Sequence, residues 1–173
     1  MTHDSSKIAE ANYFIITVPT PIDNDNRPDL GPLEKSSATI GGVLKKGDVV
    51  FFHGEIGVGK TTFIRHLVNS LQLNNHLNLT EVTSPTFNLV NEYDVGIFII
   101  QHYDLYRLKS INETKNIGLL ENQKEILTLI EWPEKINIKI NNKINLFFKY
   151  SEDMKKRFLS IEGLVKEKLN EIK

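Results

Sequence analysis

The 173 residues are 40% hydrophobic and 25% charged, with 10 Gly and 6 Pro, ordinary globular values that exclude fibrous, collagen-like and disordered classes. The 21 basic and 22 acidic side chains leave a net charge of -1, which excludes a nucleic-acid binder working by bulk charge and leaves only a local patch for such contacts. There is no cysteine and the five histidines are dispersed, so disulfide frameworks, thiol nucleophiles and zinc or iron–sulfur sites are not expected.

The N-terminal stretch Met1 to Glu10 is polar and lacks the apolar core of a signal peptide. No apolar run exceeds four residues, too short to span a bilayer, so the expectation is a cytoplasmic protein with no membrane contact. The length predicts one domain covering residues 1–173. Tyr13 to Val18 reads as a strand, and Pro19 to Pro28 as a loop rich in turn formers. Leu33 to Lys46 has helical character, weakened by Gly41 and Gly42. Residues 48–73 read as strand, loop and helix. Asp48 to His53 is a continuous apolar run of strand length, as expected for burial on both faces. Gly54 to Thr61 is a glycine-rich loop, and after it Phe63, Ile64, Leu67, Val68 and Leu71 recur at helical spacing.

Further on, Phe87 to Tyr93 alternates as in a half-buried strand. Asp94 to Gly96 marks a turn, and Ile97 to Ile100 resumes a strand running towards His102 and Asp104, which makes a hairpin. Ile126 to Ile130 is a buried strand that stops at Glu131, Trp132 and Pro133. Ile136 to Tyr150 alternates around Asn141 and Asn142, the pattern of a second hairpin. Arg157 to Ile161 is a further strand, followed by an amphipathic tail from Leu164 to Ile172. The pattern predicts an α/β protein with a mixed sheet, parallel in its core and carrying antiparallel hairpins.

Residues Gly54-Glu-Ile-Gly-Val-Gly-Lys-Thr61 match G-x-x-x-x-G-K-[ST] between a buried strand and an amphipathic helix, the setting in which this pattern cradles phosphates. Gly54, Gly57 and Gly59 let the backbone curl so that successive N–H groups face phosphate oxygens. The intervening Glu55, Ile56 and Val58 contribute backbone to the same cradle, and the helix N-terminus adds partial positive charge. Lys60 is the mobile ammonium for the outer phosphates, Thr61 offers its hydroxyl to Mg²⁺, and Thr62 adds a phosphate contact. Such a site needs a carboxylate at the end of a neighbouring strand. Glu131 and Asp104 both qualify as metal ligands or water-positioning groups. The alternatives are a solvated strand end for Glu131 and a turn acid for Asp104. There is no guanine-reading N-K-x-D motif, since Asn142 to Asn145 ends in Asn. The chain has only four arginines, Arg27, Arg65, Arg107 and Arg157. That weighs against a small-molecule kinase, the alternative reading, because such enzymes bring several to the transferred phosphate. A nucleotide-binding subunit that does not hydrolyse is the third reading.

Four segments in order, Gly54 to Thr62, Ser84-Pro-Thr-Phe87, His102-Tyr-Asp-Leu-Tyr-Arg107 and Ile130-Glu-Trp-Pro133, resemble the bacterial TsaE (YjeE) family. The resemblance covers about residues 40–135. It implies a three-layer αβα P-loop NTPase fold and a Mg²⁺-dependent ATPase, weak alone and stimulated by partners. The pathway implied is formation of threonylcarbamoyladenosine next to the anticodon of tRNAs reading A-starting codons. The implied partners are TsaB and TsaD, with tRNA met only through the complex. It further implies that Lys60 and Thr61 hold ATP phosphates and Mg²⁺, that Asp104 and Glu131 complete the metal and water site, and that Thr86 belongs to a switch-like loop near the γ-phosphate. Trp132 is read either beside the nucleotide or as a core or partner-facing aromatic. Tyr106 and Arg107 are read as partner contacts or helix-end packing. His102 is read as a structural hydrogen-bonding residue. Glu55 stands where the family usually has Asp.

Overall fold

A computed structural model describes residues 29–135, 140–141, 143–154 and 156–163, together with the backbone course of 13–19. Among these residues seven strands form one sheet: β1 (Tyr13–Pro19), β2 (Val49–His53), β3 (Val90–Asp94), β4 (Ile99–Asp104), β5 (Ile126–Glu131), β6 (Lys143–Tyr150) and β7 (Lys156–Glu162). Their spatial order is β1-β7-β6-β2-β5-β4-β3. The middle four, β6-β2-β5-β4, run parallel. The β3–β4 hairpin closes one edge, and β7 and β1 close the other, all antiparallel. The mixed sheet expected from the sequence is therefore present. The two central strands, β2 and β5, are mostly apolar because both their faces are covered: four of the five β2 residues and all six β5 residues are buried, with Thr128 and Glu131 the polar exceptions on β5.

On one face lie α1 (Gly31–Val43) and α2 (Lys60–Asn74). Phe63, Ile64, Leu67, Val68 and Leu71 of α2 form the apolar stripe that its spacing predicts, and they pack on Val50, Phe52, Leu127, Leu129 and Leu146 of the sheet. α1 begins with Pro32 in its first turn, where the missing N–H is unneeded. Its Gly41 faces Leu67, so a small residue sets how closely the two helices approach. On the opposite face Val49, Phe51, Tyr103 and Ile130 are covered by Leu105, Leu108, Leu119 and Leu120. That third layer is mostly coil around the four-residue helix α3 (Glu113–Asn116).

Three sequence expectations are corrected. Phe87 does not open a strand: the chain turns at residues 86–89, where Leu89 has φ +67° and its N–H bonds the Pro85 carbonyl at 2.6 Å, leaving Phe87 80% exposed. α1 stops at Val43 rather than Lys46, because Leu44 is extended. The antiparallel partner of β6 is β7, reached through Ser151–Met154, and not a strand preceding Asn141. Both edges of β6 are taken, by β2 and β7, so no third strand can pair with it. Residues 136–139 and 142 of that expectation, the loop residues 20–28 and the tail 164–172 lie outside the described residues.

The backbone assigns opposite signs to two glycine substitutions. Gly42 is helical and a Cβ there meets no described atom within 4 Å. Gly42→Ala is expected to raise stability by roughly 0.5–1 kcal/mol. Gly54 has φ +136° and a Cβ would lie 2.6 Å from the Phe148 carbonyl oxygen. Gly54→Ala is expected to cost about 1–3 kcal/mol. Urea unfolding midpoints at unchanged slope check both.

Candidate functional site

The parallel strands β2, β5 and β4 end side by side at one edge of the sheet. Phe52 pairs with Glu131, and Glu131 pairs with Asp104. The register therefore sets two carboxylates next to the start of the Gly54–Gly59 loop, at the strand ends where open α/β sheets bind ligands. Gly59 caps α2 in the left-handed region, φ +106°, which directs the chain from β2 straight into a helix whose first residues are Lys60 and Thr61.

A cleft of about 370 Å³ opens above this edge. Ile56, Gly57, Gly59, Lys60, Thr61, Thr62, Thr86, Asp104, Glu131 and Trp132 line it, so ten of the positions singled out in the sequence converge. Gly54, Glu55 and Val58 do not line it. They border a second cavity behind the loop, beside Phe148 and Tyr150, and the Val58 side chain is buried in the core. The carbonyls of Gly54 and Glu55 nevertheless serve the site, since they accept from Lys60 Nζ at 2.7 and 3.0 Å.

Each carboxylate is held in its own way. Glu131 Oε1 accepts from the Thr61 hydroxyl at 2.8 Å and sits 3.0 Å from His102 Nε2. Asp104 Oδ2 accepts from the Ser84 and Thr86 hydroxyls at 2.6 and 2.7 Å, and Asp104 Oδ1 accepts from the Tyr106 backbone N–H at 3.0 Å. Asp104 and Glu131 are 4% and 3% exposed, so these donors offset a desolvation that would otherwise be costly.

Trp132 is half-buried and its ring lies 4.0 Å from Lys60 Nζ, a cation–π contact. Its backbone sits at φ +60°, an unusual conformation for a bulky residue, and its ring packs against the edge of the core cluster around Phe51 and Ile130 while meeting Lys60. Tyr106 packs on Trp132 with ring centroids 4.8 Å apart. Arg107 stacks on Phe87 at 4.1 Å. Both line the cleft mouth, in coil and not at a helix end.

The sequence reading left Ser84 out of the site, although it stands in the same S-P-T-F segment as Thr86. It also placed His102 in a structural role without tying it to Glu131. Strand parity was the available signal: His102 and Asp104 are two apart on β4 and so share a face.

Burial pushes the Lys60 ammonium below its ordinary 10.5, and the negative charges of Glu131, Asp104 and Glu134 partly offset that shift. The cleft thus holds a desolvated cation facing two hydrogen-bonded carboxylates, with three hydroxyls among them. Oxygen donors of this kind suit a hard divalent cation. Among the described residues no cluster of three His, Cys, Asp or Glu side chains offers a metal cage. Mg²⁺ usually takes one or two carboxylates together with substrate phosphates, and Asp104 and Glu131 supply two carboxylates here.

A buried strand, a glycine loop and a helix beside a parallel sheet define the P-loop NTPase fold. The same fold occurs in the crystal structure of Bacillus subtilis YdiB, with a TM-score of 0.65, 19% identity and 92% of each chain covered. The family model for TsaE, described as threonylcarbamoyl adenosine biosynthesis protein TsaE, matches residues 29–158, and the chain belongs to that family. Proteins named tRNA threonylcarbamoyladenosine biosynthesis protein TsaE are similar to it. That of Rickettsia felis is 44% identical over 91 residues, 53% of this chain and 51% of its own. That of Aquifex aeolicus is 36% identical over 101 residues, 58% and 69%. That of Nostoc is 34% identical over 119 residues, 66% and 70%. The chain spans about half the length of the Rickettsia felis relative that it matches. No helix among the described residues is long and apolar enough to cross a membrane.

The Lys60 environment gives a signed prediction. Its folded state binds its proton less tightly than the unfolded chain, so its share of stability rises with pH towards 10.5. In ¹³Cε NMR, Lys60 is expected to titrate below 10.5. Glu131→Gln, which removes the largest offsetting charge, is expected to move the midpoint lower still. A midpoint at or above 10.5 would refute the assignment.

Proposed function

We propose that this chain is a single-domain P-loop ATPase over residues 1–173, which binds ATP along Gly54 to Thr62 and hydrolyses it with Mg²⁺. It acts in forming threonylcarbamoyladenosine next to the anticodon of tRNAs reading A-starting codons. It works in the cytoplasm with homologues of TsaB and TsaD and meets tRNA only through them. The observation that carries this reading is the convergence of Lys60, Thr61, Asp104 and Glu131 in one cleft at the carboxyl ends of three parallel strands. Membership of the TsaE family supports the pathway.

Each residue has a role in binding or orientation. The loop N–H groups and the α2 N-terminus take up phosphate charge. Lys60 leaves the Gly54 and Glu55 carbonyls for the outer phosphate oxygens, and the partial desolvation of its ammonium strengthens that attraction. Thr61, Asp104 and Glu131 are the donors that would hold Mg²⁺, whose chemistry is to neutralise charge on the β- and γ-phosphate oxygens. A carboxylate not engaged in holding the ion orients the attacking water. Thr86 reports on the outer phosphate through the loop it belongs to. Trp132 and Tyr106 narrow the mouth and limit water. Arg107, at the cleft mouth, is stacked on Phe87.

The test is ATP turnover by the purified chain, alone and with TsaB and TsaD homologues, in Mg²⁺ and in chelator. Turnover is expected to require Mg²⁺ and to rise with the partners. Lys60→Ala is expected to lower it at least about a hundredfold, the scale for losing a preorganised charge-stabilising group. Wild-type rates in Lys60→Ala would refute the site. Turnover dependent on an added metabolite would indicate a kinase instead.

A further inference from the structure

The buried histidine of β4 carries a feature that packing alone does not explain. His102 is 0% exposed and lies between the Tyr93 ring, 6.3 Å away, and Glu131. Its Nε2 faces Glu131 Oε1 at 3.0 Å, and a carboxylate oxygen only accepts, so Nε2 carries the proton. Its Nδ1 is buried and has no hydrogen-bond partner among the described residues. A side chain serving only to fill this space would do better as an apolar residue, because an unpaired buried acceptor is unfavourable. The Nε2 contact is what distinguishes a histidine here from a leucine.

That contact acts on a specific atom. Glu131 Oε1 receives both the Thr61 hydroxyl and His102 Nε2, one from the helix and one from the adjacent strand. Oε2 accepts no hydrogen bond among the described residues, and Glu131 lines the cleft. With Oε1 fixed from two directions, rotation about the carboxylate's last torsion is stopped, and Oε2 is the oxygen left for the cleft. We propose that His102 is a positioning residue that locks the Glu131 carboxylate through Nε2–H and so sets which oxygen meets the divalent cation and water. This rests on the Mg²⁺-ATPase reading above. It concerns orientation of a ligand by its outer partner, a type of contact whose loss usually lowers metal affinity or activity 10–100-fold.

Three substitutions separate this from a packing role. His102→Leu keeps most of the volume and removes the donor. His102→Gln keeps an N–H that can reach the same oxygen. Glu131→Ala removes the group acted upon. The readout is the affinity of the full chain for the non-hydrolysable analogue AMP-PNP, by calorimetry, in chelator and over a Mg²⁺ series, with ATP turnover alongside. In His102→Leu the Mg²⁺-dependent gain in affinity is expected to fall about tenfold, with affinity in chelator unchanged. Turnover should fall by a similar factor at little change in KM. His102→Gln should stay within about threefold of wild type, and His102→Leu should cost nothing further in the Glu131→Ala background, as coupled residues require. A folded His102→Leu with wild-type Mg²⁺ dependence, or losses additive with Glu131→Ala, would overturn the proposal. Should His102→Leu fail to fold, as judged by its thermal transition, a tenfold loss in folded His102→Gln would overturn it equally. A wild-type chain whose AMP-PNP affinity ignores Mg²⁺ would refute the ATPase reading itself, and this one with it.

Discussion

The parallel register of β2, β5 and β4 is the constraint on which the chemistry of this molecule depends. Pairing of Phe52 with Glu131, and of Glu131 with Asp104, brings two carboxylates and the start of the glycine loop into one row. Because strand side chains alternate, a slip of one residue would turn either carboxylate to the opposite face, away from Lys60 and Thr61. The register is protected by burial. Leu127, Leu129, Val50, Phe52 and Ile100 must all face the helices, and each is at most marginally exposed. The apolar core and the polar site are thus fixed by the same alternation: the residues that anchor the strands also aim the carboxylates.

The site is stabilised less well than the core beneath it. Lys60 is desolvated, Trp132 has a left-handed backbone, and one His102 nitrogen has no partner among the described residues. Each is unfavourable taken alone, and each sits on the edge where the cleft opens. Such strain persists only when surrounding structure over-determines it. Here β2 and β5, buried on both faces, and the α1–α2 pair supply that rigidity, with Gly41 allowing the helices to close on Leu67.

Much of this was legible in the sequence where spacing is rigid. The G-x-x-x-x-G-K-T segment has a fixed length because the loop must close between a strand and a helix, and the apolar runs at Val49 and Ile126 mark strands covered on both faces. Glu131 and Asp104 were visible as acids at strand ends. Positions governed by contacts distant in sequence were less legible. The link between His102 and Glu131 spans 29 residues and exists only because β4 and β5 are neighbours. The turn at residues 86–89 was hidden by an alternation that continued through Phe87 and Leu89. The β6–β7 pairing was hidden because Asn141 and Asn142 look like a turn, whereas β6 had already spent both its edges on β2 and β7.

The two carboxylates, so similar in sequence context, differ in what holds them. Glu131 is fixed by α2 through Thr61 and by β4 through His102, both regular elements with little freedom. Asp104 is held by hydroxyls of Ser84 and Thr86, in the coil between α2 and β3, and by the backbone of Tyr106 in the next coil. Any group that competes for Asp104 Oδ2 must displace two loop hydroxyls, so the loop's position and the occupancy of Asp104 are linked by mass action. At Glu131 the bonds from Thr61 and His102 both fall on Oε1, so a group that meets Oε2 displaces neither. A rigid acid beside an adaptable one gives the cleft a fixed reference for orienting an ion or water. It also gives a second point through which occupancy reaches the surface, where exposed Phe87 of the same loop stacks on Arg107.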